Sequence, residues 1–419
     1  MAETLSLHGL PAEEETLQLY HRINKAEWEA LERGETTRAR LQHDRWGKLL
    51  LALGMDEGMA DDMSATFVRQ MGTHADLLPG AMTFLRCVKP HMKLALVSNG
   101  FAAIQRGRLS RSPITAMMDA IIISEEAGVN KPDPRMALIA MQALGCEDIR
   151  QAVFLGDSAT ADIACASSAG MDSIHLNPEG HFSPDATYGT RSLRETAALL
   201  LGSDAPWQEA ALAECRDYIA GLFAGESSGH DAQHTLRVER NACRIAESEG
   251  GDLFLIRLAA LLHDVDDGKL FDTADSLAHA RDFMTRQCLT AAEIERVCGI
   301  IRTVSFKGGH NAPPESIEGR IVQDADRLDA IGAIGIGRAF AYGGAHGRAM
   351  HLPEERPADF ATAEAYAASK GTTVNHFYEK LLKLRDLMTT ATGRRMAGER
   401  HRYMERFLQE FLDEWNGLR

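Results

Sequence analysis

Long apolar runs are missing from this chain. No stretch of about 18 consecutive apolar residues occurs, so no segment reads as a membrane-spanning helix. The opening Met-Ala-Glu-Thr-Leu lacks the basic start and apolar stretch of a secretory signal. Cysteine pairing is missing too: the seven cysteines are odd in number and never spaced C-x-x-C. That argues against a disulfide frame or a cysteine zinc site, and for reduced thiols in a cytoplasmic protein. A cationic surplus is also absent. Lys and Arg total 45 against 60 Asp and Glu, a net charge of −15. Wrapping a long nucleic acid needs a basic surface, so that class is excluded. A small anionic substrate is not, because a bound metal supplies local positive charge.

At 419 residues the length suits two or three domains. The second half is organised around Leu261-Leu262-His263-Asp264, where an apolar helical stretch runs into a His-Asp dyad. An imidazole and a carboxylate are costly to bury unpaired, and a divalent metal satisfies both. Further candidate ligands flank the dyad. His234 shares a helical face with Val238, Ala242 and Ile245. Asp324 lies in a stripe with Ile321, Leu328, Ile331 and Gly335. Either alone is as well explained by core packing or capping, but the ordered set on three helices points to a metal site.

Three stretches then carry a resemblance: His230-Asp231-Ala-Gln-His234-Thr-Leu-Arg237, Leu-Leu-His263-Asp264-Val-Asp-Asp267, and Gln-Asp324-Ala-Asp326-Arg327-Leu-Asp329-Ala. Residues 208–419 resemble the HD superfamily of metal-dependent phosphohydrolases, and the run Ser369-Lys370 to Lys380 is similar to a compact branch of it. The resemblance implies an all-helical domain in which His234, His263, Asp264 and Asp324 hold one divalent metal, with Mn, Mg, Fe or Ni fitting a mixed N/O set. Asp264 is then catalytic as well as a ligand. Asp267 and Lys269 are candidates to orient water and meet phosphate, with solvated surface charge as the alternative for both. Lys307 and His310, in a Gly- and Pro-rich loop, join Arg327 and Lys380 as candidate substrate contacts. The expected partner is a small phosphorylated substrate, in all expectation a nucleotide. The apolar stripe Met404, Phe407, Leu408, Phe411, Leu412 and Trp415 reads as core, or as a homodimer face.

The first half reads differently. Polar helices fill residues 12 to about 78, and then short apolar runs alternate with helical segments. The runs are Leu94–Val97, Ala120–Ser124, Ala152–Leu155 and Ser173–Leu176. That alternation predicts a parallel α/β sheet with its chemistry at the carboxyl ends of the strands. Ser98-Asn99-Gly100, Lys131-Pro132-Asp133-Pro134 and Gly156-Asp157 to Asp162 are similar to motifs of the haloacid dehalogenase superfamily, in its nucleotidase-like branch. The resemblance implies that Ser98 and Asn99 bind phosphate, Lys131 neutralises it, and Asp157 with Asp162 binds magnesium. The D-x-D-x-T motif that carries that family's nucleophile occurs nowhere in the chain. The central first strand is absent with it, which predicts unpaired strand edges. Either the true start lies upstream, or this half is a scaffold.

The expected architecture is two-domain: residues 1–201 a truncated α/β unit with a helical cap at about 12–78, a linker at 202–207, and residues 208–419 an all-α unit. The expected activity is metal-dependent phosphohydrolysis in the second half. The alternatives are a bifunctional enzyme, if the nucleophile is encoded upstream, and a non-catalytic nucleotide-binding protein.

Overall fold

The computed structural model describes residues 1–224, 232–267, 273, 276–304, 314–358 and 371–419. The chain separates into two compact units, Met1–Trp207 and Gln208–Arg419.

The first unit holds five strands: β1 (Ala95–Ser98), β2 (Ala120–Ile123), β3 (Val153–Gly156), β4 (Asp172–Leu176) and β5 (Tyr188–Thr190). The first four fall on the apolar runs of the sequence. β5 escaped notice because Tyr-Gly-Thr is short, polar and mostly exposed. All pairings are parallel. β1 pairs β2 in the register Ala95↔Ala120, and β4 sits between β3 and β5, with Val153↔Asp172 and Ile174↔Tyr188. The sheet is therefore in two pieces, and no pairing joins β1 to β3 among the described residues. That break falls where the missing central strand was expected. Every residue of β1 is half-buried and Val153 of β3 is exposed, as edges without a covering neighbour should be.

Ahead of the strands lie the cap helices Glu14–Glu32, Arg38–Ala52 and Ala60–Met71. Their apolar faces close over Tyr20, Trp46, Leu49, Leu50 and Met63. Tyr20 and Trp46 pack at a tilt with ring centroids 4.6 Å apart, and Arg45 lies 4.8 Å from the Phe67 ring centre.

The second unit contains no strand among the described residues. The helix Leu253–Leu262 is apolar almost all round and buried, as a central helix must be. Asp252 caps its start by accepting from the Leu255 N–H. The helices Ala232–Glu249 and Ile317–Asp329 pack on it and on one another. The helix Ala391–Trp415 closes the unit, and its Met404 and Leu408 are buried, in keeping with a core role for that stripe. On the same helix Phe407 stacks on Phe377 and meets Phe340 edge-on, Phe411 packs against Phe340, and the largely exposed Trp415 stacks on Phe411.

Candidate metal centre

The helix Leu253–Leu262 ends one residue before the dyad, so His263 and Asp264 sit in the turn that follows it. His263 Nδ1 donates back to the Ala260 carbonyl at 2.9 Å. That bond turns Nε2 inward, where it is buried with no hydrogen-bond partner. His234, from the middle of its helix's buried face, arrives beside it with ring centroids 5.3 Å apart. Ligand atoms of His234, His263 and Asp264 all lie within 4.8 Å of one another.

The fourth expected ligand is corrected by the structure. Asp324 is fully buried, as its place in the apolar stripe predicted, but its carboxylate is engaged by other partners. Its carboxylate accepts from the N–H and hydroxyl of Thr390 at 2.8 and 2.7 Å, and from Thr389 N–H at 2.9 Å. It thus ties down the start of the helix Ala391–Trp415, at the N-terminal end where anionic groups are favoured. The group that reaches the cluster is Asp326. Its Oδ1 lies 3.4 Å from His234 Nε2 and 3.8 Å from His263 Nε2. Two residues along a helix turn about 200°, so Asp324 and Asp326 cannot serve one site. The hydrophobic pattern locates the buried face but does not say which buried partner waits there.

Asp329 is a second residue the sequence reading did not single out. It stands three positions past Asp326, hence on nearly the same face. Its carboxylate accepts from His234 Nδ1 at 2.7 Å and from Arg237 Nε at 2.7 Å and Nη2 at 3.0 Å. Arg338 also bonds to it. With Nδ1 bonded to Asp329, Nε2 of His234 is the ring nitrogen that faces Asp264 and Asp326. Burial would raise the Asp329 carboxyl, but the hydrogen bond from His234, then that from Arg237 and the charges of His234 and Arg338, hold it well below its ordinary range. Burial alone would lower the His234 pKa, but hydrogen bonds to Asp326 and Asp329 more than reverse that and push it to about 9. The cluster therefore favours positive charge at its centre. A partnerless imidazole nitrogen, a second imidazole nitrogen aimed the same way and two converging carboxylates fit a divalent cation with mixed N/O ligands.

The other candidates fall out as follows. Arg327 is buried and donates to the Leu387 carbonyl. Asp267 is half-buried just past the dyad, with its N–H on the Asp264 carbonyl. Its neighbour Asp266 is spent on His279 and on the Ala280 N–H. Lys380 follows the helix Thr373–Glu379. There burial, Lys380 and Arg348 push His376 down to about 4. Lys269, Lys307 and His310 lie outside the described residues, as do His230, Asp231, Ser369 and Lys370.

In the first unit the expected motif residues gather at the strand ends. Asn99 bonds reciprocally with the Lys131 backbone at 2.8 and 2.9 Å. Lys131 Nζ donates to the Val97 carbonyl at 3.1 Å and to Asp162 Oδ1 at 2.5 Å. Asp162 also accepts from the Ser158 N–H, and Ser98 Oγ accepts from the Gly100 N–H. Asp157 stays exposed. Asp162 therefore neutralises the buried lysine, and Asp157 is the acid left facing solvent. From the cap, Arg38 reaches the same strand ends through Ser124 and Asn130, which no motif announced.

Comparison with known proteins follows the same division. Residues 231–331 match the family model of the HD domain, and residues 42–176 match that of the haloacid dehalogenase-like hydrolases. The uncharacterized protein YpgQ of Bacillus subtilis (strain 168) is 40% identical over 49% of this chain and 94% of its own length. The pyrimidine 5'-nucleotidase YjjG of Escherichia coli (strain K12) is 31% identical over 44% of this chain and 83% of its own. The crystal structure of an HD-superfamily hydrolase from Bacillus thuringiensis is similar at 39% identity, covering 50% of this chain and 98% of that one, with a TM-score of 0.40.

Proposed function

We propose that this chain, which belongs to the HD-domain family through its second half and to the haloacid dehalogenase-like hydrolases through its first, is a divalent-metal-dependent phosphohydrolase acting on a nucleotide or other small phosphorylated metabolite in the second half. The observation that carries this reading is the buried, partnerless Nε2 of His263 aimed into a cluster with His234, Asp264 and Asp326. Those four residues would hold the metal, which when bound supplies an acidified water and polarises a phosphoryl oxygen. His234 is kept in the right tautomer by Asp329, and His263 by the Ala260 carbonyl. Arg237 and Arg338 are anchored on that same Asp329 beside the cluster, where their charge favours a phosphate chain. Asp267 is the nearest unassigned carboxylate in sequence for orienting water. Manganese, iron, magnesium and nickel are all compatible with the ligand set.

Kinship of the first half to a pyrimidine 5'-nucleotidase supports a nucleotide as substrate class. That half keeps Ser98, Lys131 and Asp157 for phosphate and magnesium, but its sequence has no D-x-D-x-T aspartate to form a covalent intermediate. Turnover is assigned to the second half on the strength of its His-His-Asp cluster.

The test is a metal-by-nucleotide turnover screen on this chain, with phosphate and pyrophosphate assayed separately. Asp264→Ala and Asp157→Ala run beside it. Activity lost with Asp264→Ala and kept with Asp157→Ala supports the assignment, and the product names the bond cleaved. The reverse pattern overturns it. Binding of nucleotide without turnover, at full metal occupancy, would favour a non-catalytic sensor.

A further inference from the structure

The helix Ala232–Glu249 has a second polar face. His234, Val238, Ala242 and Ile245 point into the unit. Arg240, Cys243, Arg244 and Glu247, again at spacings of three and four, lie on the opposite side. With Arg216, Glu239 and Arg257 they line an open cleft of 510 Å³. Its inner wall is built from a buried carboxylate: Glu239 is 5% exposed. It accepts from Arg216 twice, through Nε at 3.1 Å and through Nη2, and from Arg257 Nε at 3.0 Å. Arg257 is held a second time by Glu209. Two guanidinium planes are thereby fixed in orientation, and Arg216 keeps further N–H donors to spare.

The outer pair differs. Arg240 and Arg244 are exposed, and neither has a carboxylate at ion-pair distance among the described residues. Four arginines against Glu239, Glu247 and the Glu209 that holds Arg257 still leave the cleft a positive balance, in a chain whose net charge is −15. Another open cleft of this unit, lined by Glu399, Arg402, Glu405 and Arg406, is balanced. Rigid arginine forks recognise oxyanions bidentately, and about 300–1,000 Å³ suits a small-molecule ligand.

We propose that this cleft is a binding site, separate from the metal centre, for a small polyanionic phosphate, either pyrophosphate or the polyphosphate chain of a nucleotide. Arg240 and Arg244 grip it from outside, and Arg216 and Arg257 meet it from the wall. The site lies on the same helix as His234, on the face turned away from it.

Cys243 reports occupancy from inside the cleft. The experiment measures its alkylation rate in the full chain by peptide mass mapping, at matched ionic strength, with sodium chloride, pyrophosphate or ATP. A bound ligand slows the rate by 1 + [ligand]/Kd, about tenfold when the ligand stands near ten times its Kd. Protection by both probes identifies the phosphate chain as the recognised part. Protection by ATP alone adds the nucleoside to it. The paired substitution Arg240→Gln with Arg244→Gln is expected to abolish protection while leaving the melting temperature unchanged. Repeating the assay in Asp264→Ala separates this site from the metal centre, and protection should persist there. The proposal is overturned by no protection at millimolar probe, by protection that survives the paired substitution, or by protection lost with Asp264→Ala.

Discussion

Asp324 accepts hydrogen bonds from both the backbone N–H and the hydroxyl of Thr390, at 2.8 and 2.7 Å. Gly393 makes room for the arrangement: a Cβ there would stand 2.4 Å from Asp324 Oδ2. The most deeply buried acid of the Gln-Asp-Ala-Asp motif is thus a helix anchor, and its neighbour but one faces the His234–His263–Asp264 cluster.

That division predicts opposite phenotypes for two carboxylates two positions apart. Asp324→Ala leaves the Thr389 and Thr390 N–H groups buried without their acceptor and should cost about 3 kcal/mol of stability. Metal content after dialysis should stay near wild type. Asp326→Ala should lose metal with little loss of stability. Denaturant melts and metal analysis of the two variants decide the matter, and metal loss in the first alone would reinstate Asp324 as ligand.

Asp329 acts through His234, so Asp329→Asn should weaken metal affinity or turnover about 10- to 100-fold, the usual cost of losing such a partner. Competition with a metal-sensitive dye measures it. An unchanged affinity would leave the Asp329 bond a matter of packing only.

His376 gives a pH dependence. Burial, with Lys380 and Arg348 nearby, lowers its pKa to about 4, whereas the unfolded chain titrates at about 6.5. Below pH 6.5 the unfolded state binds a proton that the folded state refuses. Its contribution is therefore complete above that pH and is lost as pH falls through 4, to a total of up to about 3 kcal/mol. Urea midpoints of wild type and His376→Gln, compared from pH 7 to 4, should show a shallower decline in the variant.

In the first unit, Asp162→Asn strands the buried Lys131 charge and should destabilise that unit by about 3–5 kcal/mol. Phosphohydrolase turnover, assigned to the second unit, should stay within about twofold of wild type at temperatures below the melt. A large fall in turnover under those conditions would place part of the chemistry in the first unit.

The strands ending at Ser98, Ile123, Gly156 and Leu176 were legible because buried parallel strands are short apolar runs with turn residues after them. β5 was not, since its Tyr-Gly-Thr carries no such run. The break between β1 and β3 was legible as a missing strand, a deduction from topology. His234 and the His263-Asp264 dyad were found because apolar periodicity marks a buried face, and a titratable group on such a face needs a partner.

Which partner it finds is a different question. The sequence by itself determined the two halves, the helical and α/β characters, and the fact that His234, His263, Asp264 and Asp324 are all inside or nearly so. Those properties follow from local pattern and composition. Only the tertiary structure decided that Asp324 meets Thr390, that Asp326 and Asp329 meet His234, and that Glu239 binds Arg216 and Arg257 together. Each pairing joins residues far apart in the chain, and a step of two positions on one helix reverses the side on which a carboxylate emerges. Periodicity marks a face as buried. The element packed against that face fixes the chemistry.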